Sequence, residues 1–327
     1  MIAAESDANT KKIGKGRRSG NVPGYFSRTW MLYVMLLLPT AFFIIFRYIP
    51  MLYIWMAFSD FNIFRTEGLF GAYGLFSNQW VGLVHFRTAF GQHDFWPAFR
   101  NTLTLNVLDL VVGFPAPIII AILLNELKFG IFKKFTQTVL YMPHFLSWVV
   151  VSAMVVQLFA TNMGLLNDFL NNIGLSRVNF LMDSRNWVIT YIGLGVWKSA
   201  GWGTIIYLAA IAGINQELYE AAEVDGANRF KKIIHVTVPC LLPTIIILFI
   251  LNVGSMIGIE FDRPFVLQND MVMDVGDVLS TYVFRRGIQT FQYSLATAVG
   301  VFQSFINIIL LVTANQLAKH AGQRGLF

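Results

Sequence analysis

Asp109, Lys198 and Asn252 are polar residues that lie inside long apolar stretches of the sequence. A carboxylate and an ammonium group at such positions could pair with each other or bind a charged solute, and an amide could hydrogen-bond a hydroxyl group. Ionisable groups inside apolar segments are costly, so each of them needs a partner or a polar solute. Each of these residues is therefore a candidate for a structural contact or for contact with a solute.

No motif for catalysis or nucleotide binding accompanies these residues. The sequence contains no GxxxxGK[ST] phosphate loop and no HExxH, CxxC or GxSxG motif. Its five histidines are scattered without metal-ligand spacing, and the single cysteine, Cys240, excludes a disulfide within the chain. We therefore expect no catalytic residue, no metal site, no cofactor and no ATP hydrolysis in this chain.

The composition predicts an integral membrane protein. Of the 327 residues, 56% are hydrophobic and 13% are charged, whereas soluble domains carry about 25% charged residues. A helix needs about 20 apolar residues to cross a bilayer, and no stretch shows the period-two alternation of a membrane barrel. The predicted fold class is all-α, with six transmembrane helices over 30–58, 99–124, 137–160, 187–212, 240–260 and 290–317.

The distribution of lysine and arginine predicts the orientation. Fourteen of these residues lie in the two terminal tails and in the segments 125–136 and 213–239, and seven lie in the intervening loops. Loops rich in lysine and arginine stay in the cytoplasm, which places both termini there. We expect a partly disordered cytoplasmic tail over residues 1–28, a membrane domain over 29–318 and a cytoplasmic tail over 319–327.

The helix rise gives the depth of the intramembrane polar residues. Asp109 and Lys198 each lie about 15–17 Å below the outer surface, near the middle of the bilayer, and Asn252 reaches a similar depth. We expect Asp109 and Lys198 to face the protein interior, where two interpretations remain open. They form a buried pair that fixes helix register, which is the commoner case, or Lys198 supplies positive potential to the path of an anionic solute. Asn252 bonds either across helices or to a solute hydroxyl group.

Glu260, Asp262 and Arg263 lie at the outer end of the fifth predicted helix. Charged residues at the mouth of a membrane protein either form a solvated rim or make the first contact with a solute or partner protein. We expect the solvated rim.

Residues 215–239 form a charged segment between the fourth and fifth predicted helices, and 220–239 read EAAEVDGANRFKKIIHVTVP. Alanine and glutamate favour a short helix from Glu220, and Gly226 suits the left-handed position that ends a helix. Asp225 can cap a second short helix, which Pro239 ends. We call this predicted cytoplasmic helix–turn–helix the elbow. Its small side chains leave a shallow surface for a partner at Ala221, Ala222 and Ala227.

The order Glu220-Ala221-Ala222, Asp225-Gly226-Ala227 and Pro239 resembles the EAA motif of binding-protein-dependent ABC importer permeases of type I. Four further segments resemble the carbohydrate branch of that family: 101–127, 137–154, 196–211 and 280–300. Within this branch the sequence is most similar to permeases for acidic oligosaccharides such as alginate.

The resemblance implies a permease subunit of a bacterial cytoplasmic (inner) membrane that forms half of an oligosaccharide path. It implies a homologous second permease subunit, two ATPase subunits that bind ATP and magnesium, and an external substrate-binding protein, with no nucleic-acid partner. In the family the elbow is a coupling helix that docks on the ATPase, which assigns coupling here to the motif residues named above. The candidates for the substrate path are Lys198, Asp109, Asn252, Trp197, Glu260 and Arg263.

Two other classes of membrane protein remain open from the sequence. A secondary sugar transporter driven by an ion gradient would also contain intramembrane charges, but its uptake would survive ATP depletion and need no ATPase. A membrane-embedded enzyme would require clustered His, Asp or Glu residues within the helices, and the sequence contains no such cluster.

Overall fold

The computed structural model describes residues 22–71, 74–258, 260–322 and 325–326. These ranges are helical, and their β-structure is limited to a bridge between Ser59 and Trp80. The all-α prediction is confirmed for these ranges. Residues 1–21 of the predicted disordered tail lie outside them, and the first helix begins at Val22, ahead of the predicted boundary at residue 29.

The α-helices in chain order are α1 (Val22–Phe43), α2 (Ile49–Met51), α3 (Val84–Gly91), α4 (Phe95–Leu108), α5 (Pro115–Asn125), α6 (Gly130–Tyr141), α7 (Trp148–Phe159), α8 (Leu165–Asn172), α9 (Ser184–Ala212), α10 (Gln216–Val224), α11 (Arg229–Lys232), α12 (Val238–Gly254), α13 (Asp262–Leu267), α14 (Met273–Gly276), α15 (Leu279–Val283) and α16 (Tyr293–His320). Short 3-10 helices occupy Leu52–Phe58, Leu75–Ser77, Met142–Phe145 and Asp270–Val272. The chain divides into two compact units, one ending at Tyr53 and one beginning at Ile54. The cavity and the elbow described below belong to the second unit.

Wider π-helical turns occupy Ile44–Tyr48, Asp109–Gly113, Ile233–Thr237 and Phe284–Gln289. The first three end two residues before Pro50, Pro115 and Pro239. Proline has no N–H to donate and its ring clashes with the preceding turn, and a wider turn accommodates both effects. The predicted helix stop at Pro239 is therefore wrong, because one helical segment runs from Arg229 to Gly254 through the wide turn.

Four helical segments are long and apolar enough to cross a membrane: Thr29–Phe58, Phe95–Asn125, Arg229–Gly254 and Tyr293–His320. They correspond to the first, second, fifth and sixth predicted helices. The fourth predicted helix is present as α9, which is not among these four segments. Its four glycines, three tryptophans and Lys198 lower its share of aliphatic residues. The number of six membrane-spanning helices therefore stays a prediction.

The third predicted helix is not continuous. Its two parts, Gly130–Phe145 and Trp148–Phe159, meet at 101°, and together they make a fifth candidate span. The break follows Pro143, and the hydroxyl oxygen of Ser147 accepts a hydrogen bond from the Val150 N–H to start the second part.

Buried clusters mark the two ends of the second unit. Ala121, Tyr207, Ile211 and Leu241 pack together, so the end of α5, the end of α9 and the start of α12 meet beside the elbow. We call this the elbow end. Phe95, Ile257, Leu279 and Tyr282 pack together at the start of α4, away from it. The elbow and the start of α4 therefore lie at opposite ends of the second unit.

The helices α6 and α9 approach closely at Gly201, where a β-carbon would lie 2.6 Å from the carbonyl carbon of Leu140. We expect Gly201→Ala to lower the free energy of unfolding by about 1–3 kcal/mol, the usual cost of overpacking. Gly193 lies on the same helix beside open space, and Gly193→Ala should be neutral or slightly stabilising because alanine favours helix. Thermal unfolding in detergent compares the variants, and equal midpoints would contradict the close approach.

Candidate functional site

The first half of the elbow is helix α10, and its end is a Schellman arrangement. The Gly226 N–H donates to the Glu223 carbonyl at 3.0 Å, and the Ala227 N–H donates to the Ala222 carbonyl at 2.9 Å. Gly226 has a φ of 76°, the left-handed conformation that glycine adopts without strain. The predicted short helix and its end at Gly226 are confirmed.

The second half of the elbow is capped by Asn228, and not by Asp225 as predicted. The Asn228 side-chain oxygen accepts a hydrogen bond from the Lys231 N–H at 2.9 Å and starts α11. A capping residue needs an extended backbone, which Asn228 has with ψ of 173°. Asp225 has ψ of 2° and ends α10 instead, its N–H donating to the Ala221 carbonyl.

Side chains fix the two halves of the elbow against each other. Lys232 Nζ lies 2.7 Å from Glu223 Oε2, and the hydrogen bond from this ammonium group lowers the pKa of Glu223. The Tyr219 hydroxyl lies 3.0 Å from the hydroxyl oxygen of Thr237, which is buried. The elbow is therefore tied to the first turns of the long helix that follows it.

The elbow presents an uncovered surface of small, charged and apolar side chains. Of the predicted coupling residues, Ala222 and Ala227 are half-buried, and the exposed ones are Glu220, Ala221, Asp225, Gly226 and Pro239. Leu218, Val224 and Phe230 are exposed apolar side chains in the same segment. Apolar side chains grouped on a surface are typical of a protein-binding site, and coupling stays a prediction.

A cavity of about 510 Å³ lies between α9, the end of α12 and the π-helical turn Asp109–Gly113. Its polar lining consists of Asn106, Asp109, Ser199, Asn252, Ser255, Glu260 and Arg263. Its aromatic lining consists of Phe114, His144, Trp202 and Tyr207. A cavity of this size with a few convergent polar groups suits a small hydrophilic ligand or one part of a larger one.

Arg263 is the partner of Asp109. Its Nη1 lies 2.6 Å from Asp109 Oδ2, and its Nη2 lies 3.3 Å from Oδ1. The guanidinium group also lies 3.7 Å from the centre of the Tyr191 ring and donates to the Tyr191 carbonyl. Arg263 is 5% exposed, so its assignment to a solvated rim is wrong. Helix α13 carries the side chain inward, where the carboxylate, the carbonyl and the aromatic face replace water.

Lys198 does not pair with Asp109 and does not line the cavity. Its Nζ donates to the His144 carbonyl at 3.2 Å and lies 5.1 Å from the centre of the Trp148 ring. A carbonyl and an aromatic face are adequate partners for an ammonium group. The predicted pair is wrong because depth along a helix does not fix the direction of a side chain. Trp197 lines a separate, apolar cavity of about 500 Å³.

Glu260 and Asn252 both line the polar cavity. Glu260 is exposed, as expected for a rim residue, and its Oε1 accepts a hydrogen bond from Trp148 Nε1. The Asn252 amide donates to the Leu248 carbonyl at 2.8 Å within its own helix. Of the two alternatives for Asn252, the bond to another helix is not formed, because its amide N–H donates within its own helix.

An aromatic pair that was not predicted from the sequence lies on the cavity wall. The His144 and Trp202 rings are stacked, with centres 4.6 Å apart and planes at 3°. Pro143 is the one sequence signal for this pair, because it precedes the break that presents His144 to α9. Within the described ranges, no three His, Cys, Asp or Glu residues are grouped closely enough to hold a metal ion.

The family model of the binding-protein-dependent transport system inner membrane component matches residues 113–324. The chain belongs to this family. It is a transport permease and not an enzyme, which confirms the resemblance described above. The match covers the elbow, Lys198, Asn252 and Arg263, and it begins shortly after Asp109.

Two curated relatives of this permease come from Bacillus subtilis (strain 168). The polygalacturonan/rhamnogalacturonan transport system permease protein YteP is 39% identical over 296 residues, which cover 90% of each chain. Protein LplB is 39% identical over 326 residues, which cover 100% of this permease and 99% of LplB. The permease is thus similar to both relatives over nearly their whole length.

A solved structure is also similar to this permease. It is a chain in the crystal structure of a bacterial alginate ABC transporter in complex with alginate pentasaccharide-bound periplasmic protein. The TM-score is 0.82 and the sequence identity is 36%, over 93% of this permease and 99% of that chain. The fold described above is therefore that of an ABC transporter permease.

Proposed function

We propose that this permease is a membrane subunit of an ATP-driven ABC importer and forms half of the path for an acidic, alginate-like oligosaccharide. Its relatives support this substrate class, since one is a polygalacturonan/rhamnogalacturonan permease and a similar solved chain belongs to an alginate transporter. The observation that carries the proposal is the polar cavity with a guanidinium group on its wall.

Three features of the cavity suit a sugar, and the first of them favours an acidic one. Arg263 lines the cavity, and its Nε has no hydrogen-bond partner among the described residues, so the pair with Asp109 does not use all of the guanidinium donors. Asn252 and Ser199 provide polar groups for sugar hydroxyls. The stacked rings of His144 and Trp202 provide a flat apolar surface on which a sugar ring packs. Trp197, which was a candidate for the substrate path, lines the separate apolar cavity and has no part in this proposal.

The proposed partners follow from the elbow and from the family. The exposed motif residues of the elbow dock on one of two ATPase subunits, and the ATPase subunits bind the ATP and magnesium. A homologous second permease subunit completes the path, and a substrate-binding protein delivers the oligosaccharide. The similar solved transporter is in complex with an alginate-bound periplasmic protein, which supports this arrangement.

The proposed location is the bacterial inner membrane, with the elbow end and both termini in the cytoplasm. The ends of α5 and α9 and the start of α12 meet at the elbow end. The basic segments 125–136 and 213–239 adjoin these helix ends, which is the arrangement expected for cytoplasmic loops.

Uptake by the assembled transporter tests the substrate class. In cells that depend on this transporter, we expect uronic-acid oligosaccharides to enter at least about tenfold faster than neutral ones of equal length, the effect of one charge-assisted hydrogen bond. Equal uptake of the two sets would contradict the acidic substrate. Uptake that continues after ATP depletion would contradict the ABC mechanism and favour an ion-gradient-driven transporter.

A further inference from the structure

Helix α6 has an apolar face that no part of the described chain covers. Ile131, Phe135 and Val139 recur every four residues, and Phe132 lies beside them on the same face. All four are exposed, Ile131 by 88% and Phe135 by 66%. The other side of α6 packs on α9, where Leu140 meets Gly201. The helix therefore directs its large apolar side chains away from the protein.

Three lysines flank this face. Lys128 and Lys134 are exposed, Lys133 is half-buried, and none of them forms an ion pair among the described residues. Phe129 lies between them and is 79% exposed. The segment 128–135 thus combines unpaired positive charge with exposed aromatic and aliphatic side chains, the composition of a helix at a membrane surface.

The position of this segment selects a lipid as its partner. It begins three residues after the candidate span Phe95–Asn125 ends, so it lies where the chain leaves the bilayer. It adjoins the elbow end, which is the proposed cytoplasmic side, and the cytoplasmic leaflet carries anionic lipids. A protein partner would cover the apolar face, whereas an anionic lipid surface both covers this face and neutralises the three lysines.

We propose that residues 128–135 form a binding site for an anionic phospholipid of the cytoplasmic leaflet. The lysines contact the phosphate headgroup, and Phe129, Ile131 and Phe135 enter the boundary of the acyl chains. Helix α6 leads directly into Met142–Phe145, which places His144 on the cavity wall. The lipid therefore anchors the start of the segment that ends at the cavity.

Titration of phosphatidylglycerol into the intact, detergent-solubilised transporter, read by native mass spectrometry, tests this site. We expect the variant Lys128→Gln/Lys133→Gln/Lys134→Gln to bind phosphatidylglycerol on the order of 100-fold more weakly, which is about 1 kcal/mol for each lysine. Lys134→Gln alone should weaken binding about fivefold by the same reasoning and tests the site if the triple variant assembles poorly. The matched control removes three exposed arginines from the predicted outer loops: Arg65→Gln, Arg87→Gln and Arg185→Gln.

The lipid site is overturned if the lysine variants keep wild-type affinity for phosphatidylglycerol, or if the arginine control loses as much affinity as the lysine variant. Ile131→Ser/Phe135→Ser distinguishes lipid from protein on the apolar face. Weaker lipid binding with an intact transporter supports the proposal. Loss of a second permease or ATPase subunit with unchanged lipid affinity overturns it and assigns the face to a protein contact.

Discussion

Replacement of Arg263 by methionine is expected to abolish uptake and to lower the free energy of unfolding by about 3 kcal/mol, the lower end of the cost of breaking a buried pair. The lower end applies because the Asp109 side chain is 29% exposed, so the pair is only partly buried. The variant leaves this carboxylate without its bidentate partner and removes the guanidinium that contacts Tyr191 and Trp148. Thermal unfolding in detergent and uptake into vesicles measure the two effects separately.

The double variant Asp109→Asn/Arg263→Met separates stability from transport. It removes both charges, and we expect it to recover most of the lost stability because no buried charge is left unpaired. Acidic oligosaccharides should still not enter, because the guanidinium is absent from the cavity. Recovery of uptake together with stability would show that the pair only fixes the helices, and wild-type stability of Arg263→Met alone would contradict the buried pair.

The elbow variant Gly226→Val is expected to reduce the ATPase that co-purifies with the permease by at least about tenfold. A β-branched residue in the left-handed conformation costs at least about 1–2 kcal/mol, and tenfold corresponds to about 1.4 kcal/mol. A β-carbon at this position meets no atom of the described chain within 4 Å, so the cost comes from the backbone and not from a clash. The reoriented turn would displace Ala227 from the motif surface.

Gly226→Asn is the matched control, because asparagine tolerates the left-handed conformation. We expect this variant to retain the ATPase and to transport substrate. Full transport by the valine variant would argue against docking through the elbow. Equal loss in both variants would show that the partner contacts the glycine itself, since the asparagine side chain leaves the backbone unchanged.

The sequence predicted the helical elements better than the contacts between them. The apolar runs indicate helices because burial in lipid requires long apolar segments, and the end of α10 at Gly226 follows from a local backbone requirement. The partner of Asp109 could not be predicted in this way. It lies 154 residues away on Arg263, in a segment that the charge pattern places outside the membrane. Only the tertiary fold, which places α13 beside the turn Asp109–Gly113, brings the two together.

Rules based on the local sequence also failed where two residues could both serve as the same helix cap. Asp225 and Asn228 are both good capping residues, and the left-handed turn at Gly226 decides between them because it leaves Asp225 in the first helix. Lys198 shows the same limit for tertiary contacts. Its partners are a main-chain carbonyl and an aromatic ring, and neither type of partner leaves a charge pattern in the sequence.

The wide turn at Asp109–Gly113 adds a residue to the span Phe95–Asn125 and so shifts the phase of its second half by about 100°. The first half buries Phe95, Ala98, Asn101, Thr102 and Leu105. If the α-helical repeat continued without the wide turn, this buried stripe would include Ile119 and Leu123. These two side chains are instead 56% and 62% exposed, and Ala121 and Leu124 are buried in their place. A single helical wheel for the whole span therefore misplaces its lipid-facing and protein-facing sides by about 100° after Gly113. Probe or cross-linking positions in the second half have to be chosen from a new wheel that starts at Pro115.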